Sequence, residues 1–525
     1  MQTFEMLFCI LVGLLLVELL FGAMRWLPGS SLLIIIGFVL LFLGLIIEGY
    51  RWQMILAYVS FIFLILTSFK TTKTPIFLKL LGTFVVITFL ALSLLLVKQL
   101  GVFILPEPTG PYAIGTFNYS LTDKLRVERF ASNQQREVFV QVWYPADNKR
   151  IHDYPLRTLW QEMYSGEFDL LSFFWGYLKH INTHSHIEAP IALKEQFPVL
   201  LFNHGLNLVA EQNTVLIEHL VSHGYVVFSI AHPYESAKVN LANAGTVLRT
   251  SQLPETAGLN QVLKIQGEEV FNELVDVKGV LLTLRLKNFN VLLVPFSADI
   301  RESIKRNILA NALTEKWAQN LKPKLNQQSL HALLSYLRYQ NDSIDTWVKD
   351  IQLVTDNIAQ IEAPIDNFLT SINQEKLGVF GMSRGGAAAG EFCKIDNRCV
   401  AGGNMDGLQY GANWRSPMNV PFLMLYSFNN SGMNDFAYSS LEQTFHDYTL
   451  KNSVHADFTD LALIVPLIHY MDTGKQIDGK HTNQIINTLH LRFFDGYLKG
   501  KRQPVKLDNG MPEVIIRNHL TKYPS

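Results

Sequence analysis

Residues 376–390 read KLGVFGMSRGGAAAG, and most of the fold can be worked out from this stretch. Leu377 to Phe380 is an apolar run of strand type. Gly381-Met382-Ser383-Arg384-Gly385 follows as a G-x-S-x-G, and Gly386, Ala387, Ala388 and Ala389 continue it as a small-residue helix. In such a strand–turn–helix the serine sits on a sharp, strained turn, and the flanking glycines let neighbouring elements approach it. A bare G-x-S-x-G is common by chance. The strand before it and the helix after it favour a nucleophile over a Gly-rich turn with a buried serine.

A serine hydroxyl is a weak nucleophile at neutral pH and needs a base, which in turn needs an orienting carboxylate. Where the nucleophile sits on a strand-to-helix elbow, the chain order is Ser, then acid, then His. Two acids downstream follow apolar strands: Asp406 in VAGGNMDG (400–407), and Asp435 after the run that ends at Tyr426. The candidate bases are His446, His455, His469, His481 and His490. His455 lies in a polar loop, NSVHADFTD (452–460), His490 in a closing helix and His469 in an apolar run. These residues by themselves leave both choices open. An oxyanion hole needs two backbone N–H groups. Arg384, directly after the serine, supplies one candidate, and Leu206 in NHGL (203–206) supplies the other. His204 reads as a residue that orients this loop.

Outward from the elbow, strands and helices alternate. VFVQVWY (138–144) reads as an antiparallel strand that meets Pro145. FPVLLF (197–202), GYVVFSI (224–230) and VPFLMLY (420–426) read as buried strands, with helices over Thr214–His223 and about Gln484–Leu498. This order predicts an α/β chain with a mostly parallel sheet flanked by helices, and the G-x-S-x-G elbow within it points to the α/β-hydrolase fold. Between about residues 238 and 373 the alternation stops. Helical patterns such as Glu302–Leu321 and Leu330–Tyr339 dominate there, interrupted at Val291–Pro295, and predict a helical insertion.

The first hundred residues differ in kind. The 525-residue chain is 49 % hydrophobic and only 17 % charged, against about 25 % charged for an ordinary soluble chain. Four apolar runs, Met6–Gly22, Ser31–Ile47, Gln53–Phe69 and Leu80–Val97, account for much of the difference. Each is near the roughly 20 residues that cross a bilayer. They predict a four-helix transmembrane domain over residues 1–105 and a catalytic domain over 106–525, joined at the Pro- and Gly-rich 106–111. Arg25 in the first join and Lys70, Lys73 and Lys79 around the third place those joins on the cytoplasmic side. The amino terminus and the catalytic domain are then on the non-cytoplasmic side. Glu18 reads as a helix-end carboxylate paired with Arg25 or reaching the headgroups. With 44 basic and 45 acidic residues there is no excess of charge to suit nucleic acid. His180, His184 and His186 lack a convincing fourth ligand, and a hydrolytic triad needs no metal or cofactor. Cys393 and Cys399 are close enough in sequence to pair in an oxidising compartment.

Eight segments, in order, are similar to the platelet-activating factor acetylhydrolase family of α/β-hydrolases, bacterial relatives included. They are GPYAIG (110–115), REVFVQVWYPA (136–146), Ala189-Pro190 with FPVLLFNHGL (197–206), HLVSHGYVVFSIAHP (219–233), the elbow (377–386), NMDG (404–407), HADFTD (455–460) and FFDGYLKG (493–500). The resemblance covers Gly110 to about Gly500. It implies Asp406 as the acid, one strand earlier than in many hydrolases, and His455 as the base. It also implies a calcium-independent esterase that removes short acyl chains, such as the acetyl group of an ether phospholipid. The alternatives are a hydrolase of polyesters or carbohydrate esters, and a catalytically idle binding module. The chain departs from the family pattern at Arg384, where an aromatic residue is usual, and in its insertion and membrane domain. The Arg384 side chain would either meet an anionic group, such as a lipid phosphate, or pair with the insertion.

Overall fold

A computed structural model describes residues 3–21, 30–68, 75–193, 195–251, 327–414, 416–428, 430–434, 437–438, 445–466, 478–500 and 510–517. The chain divides into two compact units. The first comprises Met1–Ile104, Phe168–Ile181 and Ile464–Pro466. It holds helices α1 (Thr3–Phe21), α2 (Ser30–Ile47), α3 (Ile55–Ser68), α4 (Ile76–Gln99) and the short α5 (Leu170–Trp175). Phe8, Val12, Leu15, Met54 and Phe61 pack its interior, while Phe42, Ile46, Leu66, Ile76 and Phe84 are exposed. Such an outward apolar surface suits lipid better than water. At one end the Glu48 carboxylate accepts the N–H groups of Phe4 and Glu5 at 2.8 and 3.2 Å, and buried Arg51 pairs with Glu5 at 2.9 Å.

The prediction of four membrane-crossing helices needs correction. All four apolar runs become helices, but among the described residues only Thr3–Leu20 and Ile76–Gln99 are long and apolar enough to cross a bilayer. Ser31–Ile47 and Trp52–Ser68 are shorter. Seventeen residues of helix rise about 26 Å, short of a core about 30 Å thick. At the described ends, Gly49 takes φ +78° just past α2, and a 3-10 turn at Trp52–Met54 precedes α3. Glu18 is half-buried in α1, and its expected partner Arg25 lies outside the described residues.

The second unit is built on an eleven-stranded sheet, counted among the described residues. Its strands are β1 (Ala113–Val127), β2 (Gln135–Ala146), β3 (Leu156–Thr158), β4 (Asn182–Ile187), β5 (Phe197–Asn203), β6 (Val226–Ala231), β9 (Ile372–Met382), β10 (Cys399–Met405), β11 (Phe422–Tyr426), β12 (Phe445–Leu450) and β13 (Val514–Ile516). A separate hairpin contains β7 (Lys238–Leu241) and β8 (Gly245–Leu248). The order is β13-β12-β11-β10-β9-β5-β6-β2-β1-β4-β3. From β6 through β5, β9, β10 and β11 to β12 every pairing is parallel, while β2 joins β6 and β1 antiparallel. Every residue of β5 is buried, as expected of a central parallel strand covered on both faces. Apart from exposed Gln135 at its start, β2 is also buried rather than half-exposed; it lies between β1 and β6.

Helices α7 (Gln327–Asn357) and α8 (Arg384–Ile395) cover one face, packing Ile344, Trp347, Ile351, Ala387 and Ala388 into its core. Helices α6 (Thr214–Ser222) and α10 (Gly479–Leu498), with a short α9 (Leu461–Ile464) before the latter, lie in the layer on the other face. Its core includes Leu216, Ile217, Leu220, Ile485, Leu489 and Phe493. Of the predicted insertion, residues 238–251 and 327–373 are described, with the β7–β8 hairpin in the first stretch and α7 in the second. The expected helix at 302–321 and its interruption at 291–295 lie outside the described residues. Cys393 and Cys399 are joined as a disulfide between the end of α8 and the start of β10.

Candidate active site

Ser383 occupies the turn between β9 and α8 with φ 56° and ψ −119°. A non-glycine residue held at such angles costs on the order of 1–3 kcal/mol and persists only when its surroundings enforce it. The enforcement is visible here. The Ser383 N–H donates to the Met405 carbonyl at 2.8 Å, and a Cβ added to Gly407 would lie 1.9 Å from the Ser383 carbonyl oxygen. On the other side, a Cβ on Gly385 would lie 2.0 Å from the Asn203 oxygen and 2.5 Å from the His204 oxygen. The end of β5 therefore touches the elbow backbone directly, and only glycine fits. Gly385→Ala must push these two elements apart. It is expected to lower stability by on the order of 3 kcal/mol, measured as a drop in the thermal unfolding midpoint.

Asp406 follows β10 with φ 55°, and its N–H donates to the Leu425 carbonyl at 2.8 Å. Its carboxylate is buried and fully occupied. Oδ1 accepts the Ser427 N–H at 2.7 Å, and Oδ2 accepts Asn430 Nδ2 at 2.8 Å. Oδ2 also receives His455 Nδ1 at 2.7 Å. With Nδ1–H given to Asp406, Nε2 is the ring nitrogen left to take a proton. His455 begins a short 3-10 turn (His455–Phe458), and its side chain is 24 % exposed, so the ring is open to a substrate. The Ser383 hydroxyl makes no hydrogen bond among the described residues. Catalytic contacts of this kind commonly tighten only when substrate binds.

The other candidates are placed elsewhere. His446 bonds to the Tyr497 hydroxyl at 2.7 Å, and burial pushes its pKa down to about 4. His490 is buried in α10, bonded to the Ile486 carbonyl at 2.8 Å and likewise pushed down to about 4 by burial. His481 pairs with Glu513 at 3.3 Å. His469 and Asp435 lie outside the described residues. His186 bonds to the Tyr154 carbonyl, and His184 pairs with Glu107. Among the described residues no group of three His, Cys, Asp or Glu side chains is placed to hold a metal.

The loop after β5 is tied down on every side of Leu206. Gly205 N–H donates to Gln212 Oε1 at 2.7 Å, Asn207 N–H to the Glu235 carbonyl at 2.8 Å, and Leu208 N–H to the Gly205 carbonyl at 3.1 Å. Leu206 N–H donates to none of the described residues. Arg384 opens α8, and helix geometry gives the first N–H groups no acceptor within the helix. His204 is fully buried. Its Nδ1 bonds to the Gly205 carbonyl at 2.7 Å, and its Nε2 accepts from Ser236 Oγ at 2.8 Å and His232 N–H at 3.1 Å. Burial, then the neighbouring His232, lowers its pKa to about 3, so the ring is neutral and holds the loop. Two further bonds link this loop to the histidine turn: Asn213 Nδ2 to the Phe458 carbonyl at 2.8 Å, and Asp460 N–H to the Gln212 carbonyl at 3.0 Å.

Of the two roles open to the Arg384 side chain, it takes the internal one. The guanidinium is almost wholly buried and reaches Glu235 at 3.2 Å, Ser343 Oγ at 2.6 Å, Tyr339 OH at 3.1 Å and Gln340 Oε1 at 2.7 Å. Below it, His232 stacks on Trp347 with ring centroids 3.8 Å apart and bonds to Asp350 at 2.9 Å. Asp350 also holds Arg136, at 2.6 Å. Sequence reading passes over Glu235, His232 and Asp350. His232 and Glu235 share one turn after β6, but Asp350 lies more than a hundred residues further on, and the three form no local motif.

Similarity to known proteins bears on the family and the fold. A family model described as platelet-activating factor acetylhydrolase, isoform II, matches residues 99–333 and 342–514. The platelet-activating factor acetylhydrolase of Cavia porcellus is 26 % identical over 155 residues, which cover 28 % of this chain and 32 % of that protein. The match therefore spans about a third of the curated relative. A ferulic acid esterase from Streptomyces cinnamoneus superposes with a TM-score of 0.51 at 18 % identity, covering 79 % of this chain and 98 % of that one. At that identity the likeness speaks for the fold.

Proposed function

This chain belongs to the platelet-activating factor acetylhydrolase isoform II family, and from that premise we propose that it is a membrane-anchored serine esterase. Its substrates are short-acyl esters of phospholipids or lipid-like molecules. The observation that carries the reading is the 2.7 Å bond from His455 to buried Asp406, the residue after the one whose carbonyl holds the Ser383 elbow. Ser383 Oγ attacks the ester carbonyl while His455 Nε2 takes its proton. Asp406 keeps the imidazole in the right tautomer and stabilises its charged form. The Leu206 and Arg384 N–H groups receive the oxyanion. Collapse of the tetrahedral intermediate expels the alcohol, which takes the proton from His455. Water then gives a proton to His455 and attacks the acyl-enzyme, and the carboxylic acid leaves as Ser383 regains its hydrogen.

Residues 1–105 anchor the enzyme in the bilayer and 106–525 form the catalytic domain, with the insertion at about 238–373. Two helices of spanning length support the anchor. The Cys393–Cys399 disulfide and the basic first and third joins favour a catalytic domain on the non-cytoplasmic side. An anchor in the same chain keeps the enzyme at the bilayer, where lipid substrate is concentrated.

The test is a kcat/KM comparison on the detergent-solubilised full chain, among a 2-acetyl phospholipid, its long-acyl counterpart and a soluble aromatic-acid ester. The acetyl phospholipid is expected to exceed the long-acyl one at least about tenfold, the scale on which a hydrophobic pocket discriminates chain length. Preference for the soluble aromatic-acid ester would displace the lipid reading while leaving the esterase.

A further inference from the structure

Both proposed oxyanion donors connect to one buried residue outside the triad. Glu235 follows β6 and is 3 % exposed. Its backbone carbonyl accepts the N–H of Asn207, the residue next to Leu206, at 2.8 Å. Its side chain pairs with the guanidinium of Arg384, the other donor residue, at 3.2 Å. The same carboxylate accepts from three side chains of α7: Ser343 Oγ at 2.7 Å, Trp347 Nε1 at 2.7 Å and the Tyr339 hydroxyl. Burial alone would raise its pKa, but Arg384 and these donors more than offset that and hold it below the usual carboxylate range. The group is therefore ionised and saturated, with no capacity left for substrate.

We infer that Glu235 is a positioning residue for the oxyanion hole, fixing Leu206 through its carbonyl and Arg384 through its carboxylate while fastening α7 over the elbow. The inference rests on the esterase reading above and deepens it. Arg384 stands where an aromatic side chain is usual in the family, so here the donor after the nucleophile is braced by an ion pair. A backbone donor is useful only where the oxyanion will form, and a displacement of about 1 Å can cost about a hundredfold in rate. The geometry does not involve Glu235 in substrate binding, so its loss should appear in kcat.

The experiment compares the full chain with Glu235→Gln, Arg384→Met and the double variant, all in rates per active site titrated. The substrate is a soluble short-acyl ester, and the inhibitor is a trifluoromethyl ketone that adds Ser383 Oγ at its carbonyl and places an oxyanion in the hole. Each single variant should lose about ten- to a hundredfold in kcat. KM should stay within about twofold, and the ketone Ki should rise by the same factor as kcat/KM falls. The double variant should lose no more than the worse single one, because both act through one contact. A purely structural role would instead reduce the number of titratable sites and the unfolding midpoint, with parental kcat and Ki per site. That result overturns the inference and leaves the esterase standing. Arg384→Met keeps the test decisive if Glu235→Gln does not fold, because Glu235 retains its three α7 donors. An unmodified protein with no turnover and no titratable serine removes the esterase reading, and the role of Glu235 with it.

Discussion

Ser383→Ala is expected to lower turnover of a short-acyl ester by about a millionfold, close to the loss seen when a serine hydrolase loses its nucleophile. The protein should keep its unfolding midpoint. The Ser383 hydroxyl makes no hydrogen bond among the described residues, so removing it leaves no buried partner unsatisfied. The backbone at φ 56° is held by the Met405 carbonyl and by the packing of Gly385 and Gly407, and alanine preserves all three. Turnover and thermal unfolding measured on the same preparation separate lost chemistry from lost fold.

The second large effect is expected from Asp406→Asn, about ten-thousandfold in kcat. Among the described residues this carboxylate accepts from three donors: Ser427 N–H, Asn430 Nδ2 and His455 Nδ1. An amide offers one oxygen where the carboxylate offers two. Its NH2 must face at least one of those donors, and if it faces His455 the ring turns to the tautomer with its hydrogen on Nε2. That tautomer cannot accept the serine proton. Asp435→Asn is the matched control and should keep activity within about threefold, because this mechanism gives Asp435 no part in the chemistry. Steady-state rates of the two variants decide between the acids.

The residues that lie next to one another in sequence were the easiest to read. The elbow at 381–385 and the turn at Asp406 each follow an apolar run and carry a glycine signal, and strands β9 and β10 end there. The polar loop at His455 reads as following a helix-like stretch, whereas strand β12 precedes it. The parallel centre of the sheet was legible for a similar reason: β5 and β6 are continuous apolar runs bounded by turns. Longer-range features were not. Glu235 is one acid among many until Tyr339, Ser343, Trp347 and Arg384 converge on it. β13 is three residues long and defined only by its pairing with β12. The apolar runs gave α1 to α4 but not all of their bounds, because hydropathy does not register the turns at Gly49 and Trp52.

The central claim is that Ser383 is a nucleophile activated by His455, and active-site labelling followed by peptide mass spectrometry tests it most directly. The folded full chain is treated with a fluorophosphonate, alongside Ser383→Ala and His455→Ala. A single adduct on the Ser383 peptide is predicted in the parent. It should be absent from Ser383→Ala and formed far more slowly in His455→Ala. A folded parent that takes up no probe, or labels only a serine other than Ser383, would contradict the account.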